Sequence, residues 1–203
     1  LDGSPIRTLY GERGGFPDMA PQGDRLIYTI YSVGTRDQGL QLAWLDGLRD
    51  PQLLAQLLGT RVLQKQNMAS FSPDGSRLVF QAQELDNLGT NDIYVVSLSA
   101  LNPQGASAPA TDALLRLTTG TVDSYAPAWG DSTRLVYVHD ALANGGTVDL
   151  KLIDLSGQND FLTTDGNTLI ENYPDISPNG QQIAFSAYSP ANPNDSDIYV
   201  MSL

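Results

Sequence analysis

Ala69-Ser70-Phe71-Ser72-Pro73-Asp74-Gly75-Ser76-Arg77-Leu78-Val79-Phe80, followed a loop later by Asp92-Ile93-Tyr94-Val95-Val96, decides the fold of this chain. Pro presets φ for a turn and Gly supplies the positive φ that closes it, so Ser72-Pro73-Asp74-Gly75 folds two apolar runs back on each other as a hairpin. The same order returns at Pro174-Asp175-Ile176-Ser177-Pro178-Asn179-Gly180-Gln181-Gln182-Ile183-Ala184-Phe185, closed by Asp197-Ile198-Tyr199-Val200-Met201. Two looser copies stand at Pro17 to Tyr28 and at Pro127 to Tyr137. In the second of these Gly130-Asp131-Ser132 replaces the turn and is one residue shorter.

The first positions of the copies, Pro17, Ala69, Pro127 and Pro174, are 52, 58 and 47 residues apart. A period of about 50 with several strands per unit predicts a propeller. Aligned positions form apolar columns: Met19, Phe71, Trp129 and Ile176; Leu26, Leu78, Leu135 and Ile183; Tyr28, Phe80, Tyr137 and Phe185. The expected architecture is therefore all-β, a β-propeller of four-stranded antiparallel blades. Its four repeats start near residues 15, 67, 125 and 172 of a single domain spanning 1–203. Asp50 to Gly59 reads as a short helix, with Asp50 as N-cap and Pro51 at the first turn, and a strand over Thr60 to Leu63 completes the first unit. The fourth repeat stops after its third strand, whereas Ile6 to Leu9 is an orphan strand. The N-terminal strand is thus expected to complete the last blade and latch the ring.

With 203 residues, 41% of them hydrophobic, the chain can bury a large core. Its net charge of -12, with only 11 Lys and Arg, argues against nucleic acid and against an anionic membrane surface. The absence of Cys removes disulfides, thiolate nucleophiles and Cys-ligated zinc. No run reaches the roughly 18 apolar residues of a spanning helix. A start at Leu1-Asp2-Gly3 without a basic-apolar leader fits a cytoplasmic protein or a mature or excised fragment, and the missing Met favours the fragment.

Ser72-Pro73-Asp74-Gly75 with Leu78-Val79-Phe80 and Asp92-Ile93-Tyr94-Val95, and their counterparts from Ser177 to Val200, resemble the TolB-like, WD-related β-propeller repeat. The resemblance spans the chain and is weakest in the third unit. It implies a central channel and loop-built faces, in bacterial proteins often found outside the cytoplasm, in the periplasm or beyond. Family members include periplasmic scaffold proteins, propeller domains of oligopeptidases and tricorn-like proteases, and some polysaccharide lyases. Such propellers commonly have six or more blades. Four repeats therefore leave three arrangements open: a four-blade ring, part of a larger ring, or a homodimer in which two chains close a larger ring.

No catalytic set emerges. His139 is the only His, sits beside Asp140 at the end of a predicted second strand, and has no nucleophile elbow to serve. Acidic residues are the recurrent polar chemistry. Asp92, Asp149 and Asp197 each precede a third strand, and with Asp86 and Asp195 they make oxygen-rich loops. Asp86, Asp92, Asp195 and Asp197 are the candidates for Ca²⁺, although their spacing matches no Ca²⁺ loop and capping of turn amides is the simpler role. Asp18 and Asp175, each following a leading Pro, are placed at the channel mouth, where they would attract cations or basic peptides, although hydrogen bonding to neighbouring backbone is the simpler role. Tyr125, Tyr173 and Trp44 are expected in the core between sheets. The expected function is a non-catalytic protein- or peptide-binding module without a cofactor. The alternatives are an accessory domain of a peptidase and a carbohydrate- or Ca²⁺-binding propeller.

Overall fold

In a computed structural model, the residues described are 13–31, 38–46, 50–58, 63–84, 89–101, 114–164 and 168–203. They form four antiparallel sheets arranged as propeller blades. Blade 1 contains β1 (Arg13–Met19), β2 (Arg25–Tyr31), β3 (Gln38–Trp44) and β4 (Gln52–Leu53), followed by α1 (Leu54–Leu57). Blade 2 contains β5 (Leu63–Phe71), β6 (Arg77–Glu84), β7 (Asp92–Ser97) and β8 (Leu114–Arg116). Blade 3 contains β9 (Asp123–Trp129), β10 (Arg134–Asp140), β11 (Val148–Asp154) and β12 (Asn159–Phe161). Blade 4 contains β13 (Ile170–Ile176), β14 (Gln182–Tyr188) and β15 (Ser196–Ser202), three strands among the described residues. The expected latch, Ile6 to Leu9, lies outside them.

The hairpin chemistry is local and explicit. In blade 2 the Gly75 N–H donates to the Ser72 carbonyl at 2.7 Å, with Gly75 at φ +70°. The Asp74 carboxylate accepts from the Ser72 hydroxyl and the Ser76 N–H. Blade 4 repeats this with Gly180, Ser177 and Asn179, and blade 1 with Gly23 and Ala20. In blade 3, where the turn motif is lost, Asp131 does the work instead, accepting from the N–H groups of Thr133 and Arg134 at 2.7 and 2.9 Å. Those bonds outweigh its partial burial and hold its carboxyl down to about 2.

These turns also join blades. Gln22 Nε2 donates to the Asp74 carbonyl at 2.8 Å, and Arg77 donates to the Ser132 carbonyl at 2.9 Å. Turn by turn, one end of the propeller is thereby stapled from blade 1 to blade 3.

Between blades the core divides by strand alternation. Ile27, Leu40 and Leu42 of blade 1 meet Phe71, Leu78 and Phe80 of blade 2. Val79, Ile93 and Val95 on the other face of blade 2 meet Trp129, Leu135 and Tyr137 of blade 3. Val136, Val138 and Leu150 then meet Ile176, Ile183 and Phe185 of blade 4. The apolar columns are thus the faces each blade turns to its predecessor. Met19 departs from its column: it is 49% exposed, because no described blade precedes blade 1. At the far end Ile198 and Val200, the counterparts of buried Ile93 and Val95, are 75% and 63% exposed.

Two expectations near residue 50 are corrected. Gln52 and Leu53 pair with Leu42 and Gln41 as the fourth strand, and the helix shrinks to the single turn Leu54–Leu57. A helix this short has little stability of its own. Sheet hydrogen bonds take its first residues, and burial of Leu54, Leu57 and Leu58 between blades 1 and 2 fixes the rest. Leu63, expected in a fourth strand, instead opens the leading strand of blade 2 opposite Glu84. Residues 60–62 lie outside the described residues.

Candidate functional site: the channel collar

Every leading strand carries a bulge at the same place. The register shifts between Gly15 and Asp18, between Asn67 and Ser70, between Asn172 and Asp175, and in β9 opposite Val136 to Val138. The extra residue puts a non-glycine side chain at positive φ in each blade: Phe16 at +49°, Met68 at +48°, Ala126 at +50° and Tyr173 at +48°. L-residues enter this region at a cost, and repetition in four blades marks it as a built feature of the inner strands. Pro follows the bulge residue in three of the four, where no backbone N–H is then left to satisfy.

In blades 2, 3 and 4 the amide N–H of the bulge residue finds a side-chain acceptor. Gln81 Oε1 of blade 2 accepts from the Ala126 N–H of blade 3 at 2.9 Å. Asn67 Oδ1 accepts both the Met68 N–H at 2.9 Å and the Thr29 hydroxyl of blade 1 at 2.6 Å. Asn172 Oδ1 accepts from the Tyr173 N–H at 3.0 Å. The collar is therefore pinned within and between blades.

The four bulges surround a concave site of about 430 Å³, to which each blade contributes three consecutive residues: 16–18, 68–70, 126–128 and 173–175. Asp18 and Asp175, the two acids expected at the channel mouth, are brought together here, with Ser70 and Ala128 in the matching places of blades 2 and 3. Asp18 is half-buried, and its Oδ2 accepts the Phe71 N–H of blade 2 at 2.7 Å. Burial, with a smaller push from the Asp175 charge, raises its carboxyl above the usual 3.8 against the pull of its hydrogen bonds. Phe16 and Tyr173 stand exposed at the rim. The collar thus offers two carboxylates framed by aromatic and thioether surface.

Tyr173 departs from the core expectation, being 55% exposed on the collar, while Tyr125 and Trp44 pack against the inter-blade cores. Phe16, Met68 and Ser70 belong to the site without having been singled out by sequence. The available signal was the leading Pro, whose predecessor in three of the four repeats is the bulge residue, with Met68 found in the second only by alignment to them.

The Ca²⁺ candidates do not come together. Asp92 is fully buried in blade 2, bonded by Arg116 at 2.6 Å and by the Thr118 hydroxyl at 3.0 Å, so its oxygens are already engaged. Asp195 accepts from Asn192 Nδ2 at 3.2 Å in an exposed turn of blade 4, and Asp197 is exposed at the start of β15. Asp86 lies outside the described residues. Among the described residues no group of three or more His, Asp or Glu is placed to hold a metal ion. None of their helices is long and apolar enough to cross a membrane.

Compared by sequence, the chain matches no family model and no curated protein. Compared by structure, it is similar to TolB from Acinetobacter baumannii, with a TM-score of 0.67 and 18% identity over 99% of this chain and 44% of that one. A TolB candidate from Agrobacterium tumefaciens gives 0.64 and 16% over 97% of this chain and 80% of that one. The β-propeller domain of the Trilobed protease from Pyrococcus furiosus gives 0.57 and 12% over 93% and 54%. The fold is accordingly a β-propeller of the TolB type, and the chain spans less than half the length of the Acinetobacter protein.

Proposed function

We propose that this propeller is a non-catalytic binding module whose channel mouth takes a basic peptide segment of a protein partner. The observation that carries the reading is the collar, where Asp18 and Asp175 share a concave site of about 430 Å³ with exposed Phe16 and Tyr173. Carboxylates draw Lys and Arg, and the aromatic rim offers cation–π and apolar surface to their stems. Because the bulges are pinned by side-chain hydrogen bonds, little ordering remains to oppose binding. The likeness to TolB supports a site of action outside the cytoplasm, in the periplasm of a bacterium.

Fluorescence anisotropy with labelled Lys/Arg-rich and Asp/Glu-rich peptides of equal length tests the reading. Basic peptides should bind, with salt weakening them, and Asp18→Asn with Asp175→Asn together should reduce affinity about tenfold or more. Equal affinity for the acidic peptides, or indifference to the double substitution, would remove it.

The exposed end faces support a second reading, in which further blades complete the ring. A second copy of this chain or the remainder of a longer protein would supply them. In the longer protein the propeller would be an accessory domain, as the Pyrococcus propeller is a domain of a protease.

A further inference from the structure

Blade 3 carries a second polar cavity, distinct from the collar, on the face it turns to blade 2. Register pairs Tyr137 with Lys151 and His139 with Asp149 across β10 and β11, so the four side chains share one face of the sheet. Phe161 of β12 pairs with Lys151 and extends that face. Tyr137, His139 and Lys151, with Ser124, Asn159 and the Leu117–Thr119 segment of blade 2, bound a half-enclosed cavity of about 260 Å³.

The polar groups here lack the partners that burial normally brings. Tyr137 is 2% exposed and borders the cavity, yet among the described residues its hydroxyl makes no hydrogen bond. The Lys151 ammonium lies 4.0 Å from the centroid of the Phe161 ring and has no ion pair among them. His139 meets the Tyr137 and Phe161 rings edge-on, with no hydrogen bond to either nitrogen among the described residues. Asp149 accepts the Thr147 hydroxyl on Oδ2, while its buried Oδ1 has no partner among the described residues.

Blade 2 shows the closed version of the same positions. There Asp92, Tyr94 and Arg116 stand where blade 3 has Asp149, Lys151 and Phe161. Arg116 clamps Asp92 and Glu84 at 2.6 and 2.7 Å, and the carboxylate is satisfied. In blade 3 a phenyl ring replaces the guanidinium, and the cation moves to the adjacent strand, where it forms no ion pair among the described residues. The exchange turns a structural ion pair into a set of unmatched donors.

We propose that this cavity binds a small molecule through a carboxylate, which the Lys151 ammonium and the Tyr137 hydroxyl hold from neighbouring strands. Both groups can donate, and a carboxylate has two oxygens to receive them. Partial burial holds the Lys151 ammonium below its ordinary value, and the neighbouring Asp149 charge opposes that shift. Burial and the Lys151 charge hold His139 below its ordinary value, so the site does not carry a second full cation at pH 7. The volume lies below the usual range for drug-sized ligands, which restricts the occupant to a small metabolite.

His139 is the only histidine in the chain, so its ring C2–H resonance is a single reporter beside the site. In the full chain at constant ionic strength, sodium acetate or glycine should move that resonance saturably, and sodium chloride should not. Glycine acting alone would identify a zwitterion as the preferred source of the carboxylate. Lys151→Gln and Tyr137→Phe should each weaken the response about tenfold or more while the melting temperature shows both variants folded. No saturable shift up to about 50 mM carboxylate, an equal shift with chloride, or an unchanged response in folded Lys151→Gln would overturn the proposal.

Discussion

The carboxylate of Asp18 in blade 1 accepts the backbone N–H of Phe71 in blade 2 at 2.7 Å, so an acid lining the concave site between the bulges is also a clasp between blades. Asp18→Ala leaves that amide without its acceptor and should cost about 1–3 kcal/mol of unfolding free energy. Asp18→Asn keeps an acceptor oxygen and should cost much less. The pH dependence follows from the raised carboxyl of Asp18, caused first by burial and then by Asp175. A folded value above the unfolded one means that the native state holds the proton more tightly, so this group lowers stability as pH rises through that window. Urea melts should therefore show Asp18→Asn gaining on the parent between about pH 3 and pH 7. A constant difference would show that Asp18 is not the group responsible.

Arg116 bridges Asp92 and Glu84, and Asp92 is the more buried of the two acids. Burial already raises the Asp92 carboxyl, with Thr118 and Arg116 opposing it. Arg116→Met removes the opposing charge and strands a buried carboxylate, for which a loss of about 3–5 kcal/mol is expected at pH 7. Asp92→Asn in the same chain should recover part of it. Chemical denaturation of the two single variants and the double variant measures the coupling, and additive losses would show that the pair acts as two independent groups.

The blades were legible in the sequence because a period-two apolar pattern repeated four times, and a Pro-x-Gly turn repeated in three of the four units, are local signals. Tyr173 and Met19 were misplaced for one reason: an apolar residue in a strand announces that it can be buried, while its neighbours across the sheet decide whether it is. The αL bulge that exposes Tyr173 leaves only the faint trace of a following Pro. Gln52 and Leu53 looked helical because Asp50-Pro51 is a sound helix start, and only their pairing with β3 makes them a strand. The Asp18–Asp175 pairing at the collar was readable from repeat alignment. The polar face of Tyr137, His139, Asp149 and Lys151 was not, because it depends on the register between two strands joined by a loop.

Gly75 and Gly180 occupy the same turn position at φ +70° and +69°, but their surroundings differ. A Cβ at Gly75 would run into the Gln22 side chain, which bonds the Asp74 carbonyl, whereas one at Gly180 meets nothing within 4 Å. Gly180→Ala should cost only the strain of a left-handed backbone, about 1–2 kcal/mol. Gly75→Ala should cost more, and Gly75→Val more still, because the blade 1 to blade 2 staple is displaced as well. Thermal melts of the two Ala variants make the comparison. Equal losses would mean that the Gln22 contact adds nothing.

Ile198 and Val200 face outward from blade 4 where the equivalent Ile93 and Val95 of blade 2 are covered by blade 3. If a second copy completes the ring, the chain should sediment at about twice its 21.8 kDa. Ile198→Asp with Val200→Asp should then return it to a single chain. Because both side chains are already in solvent within one chain, the substitutions should change the stability of the isolated chain by less than about 1 kcal/mol. Sedimentation equilibrium over a concentration series separates the outcomes. A monomer at all concentrations, unaffected by the substitutions, would rule out the second copy and leave further blades of a longer protein as the occupant of this face.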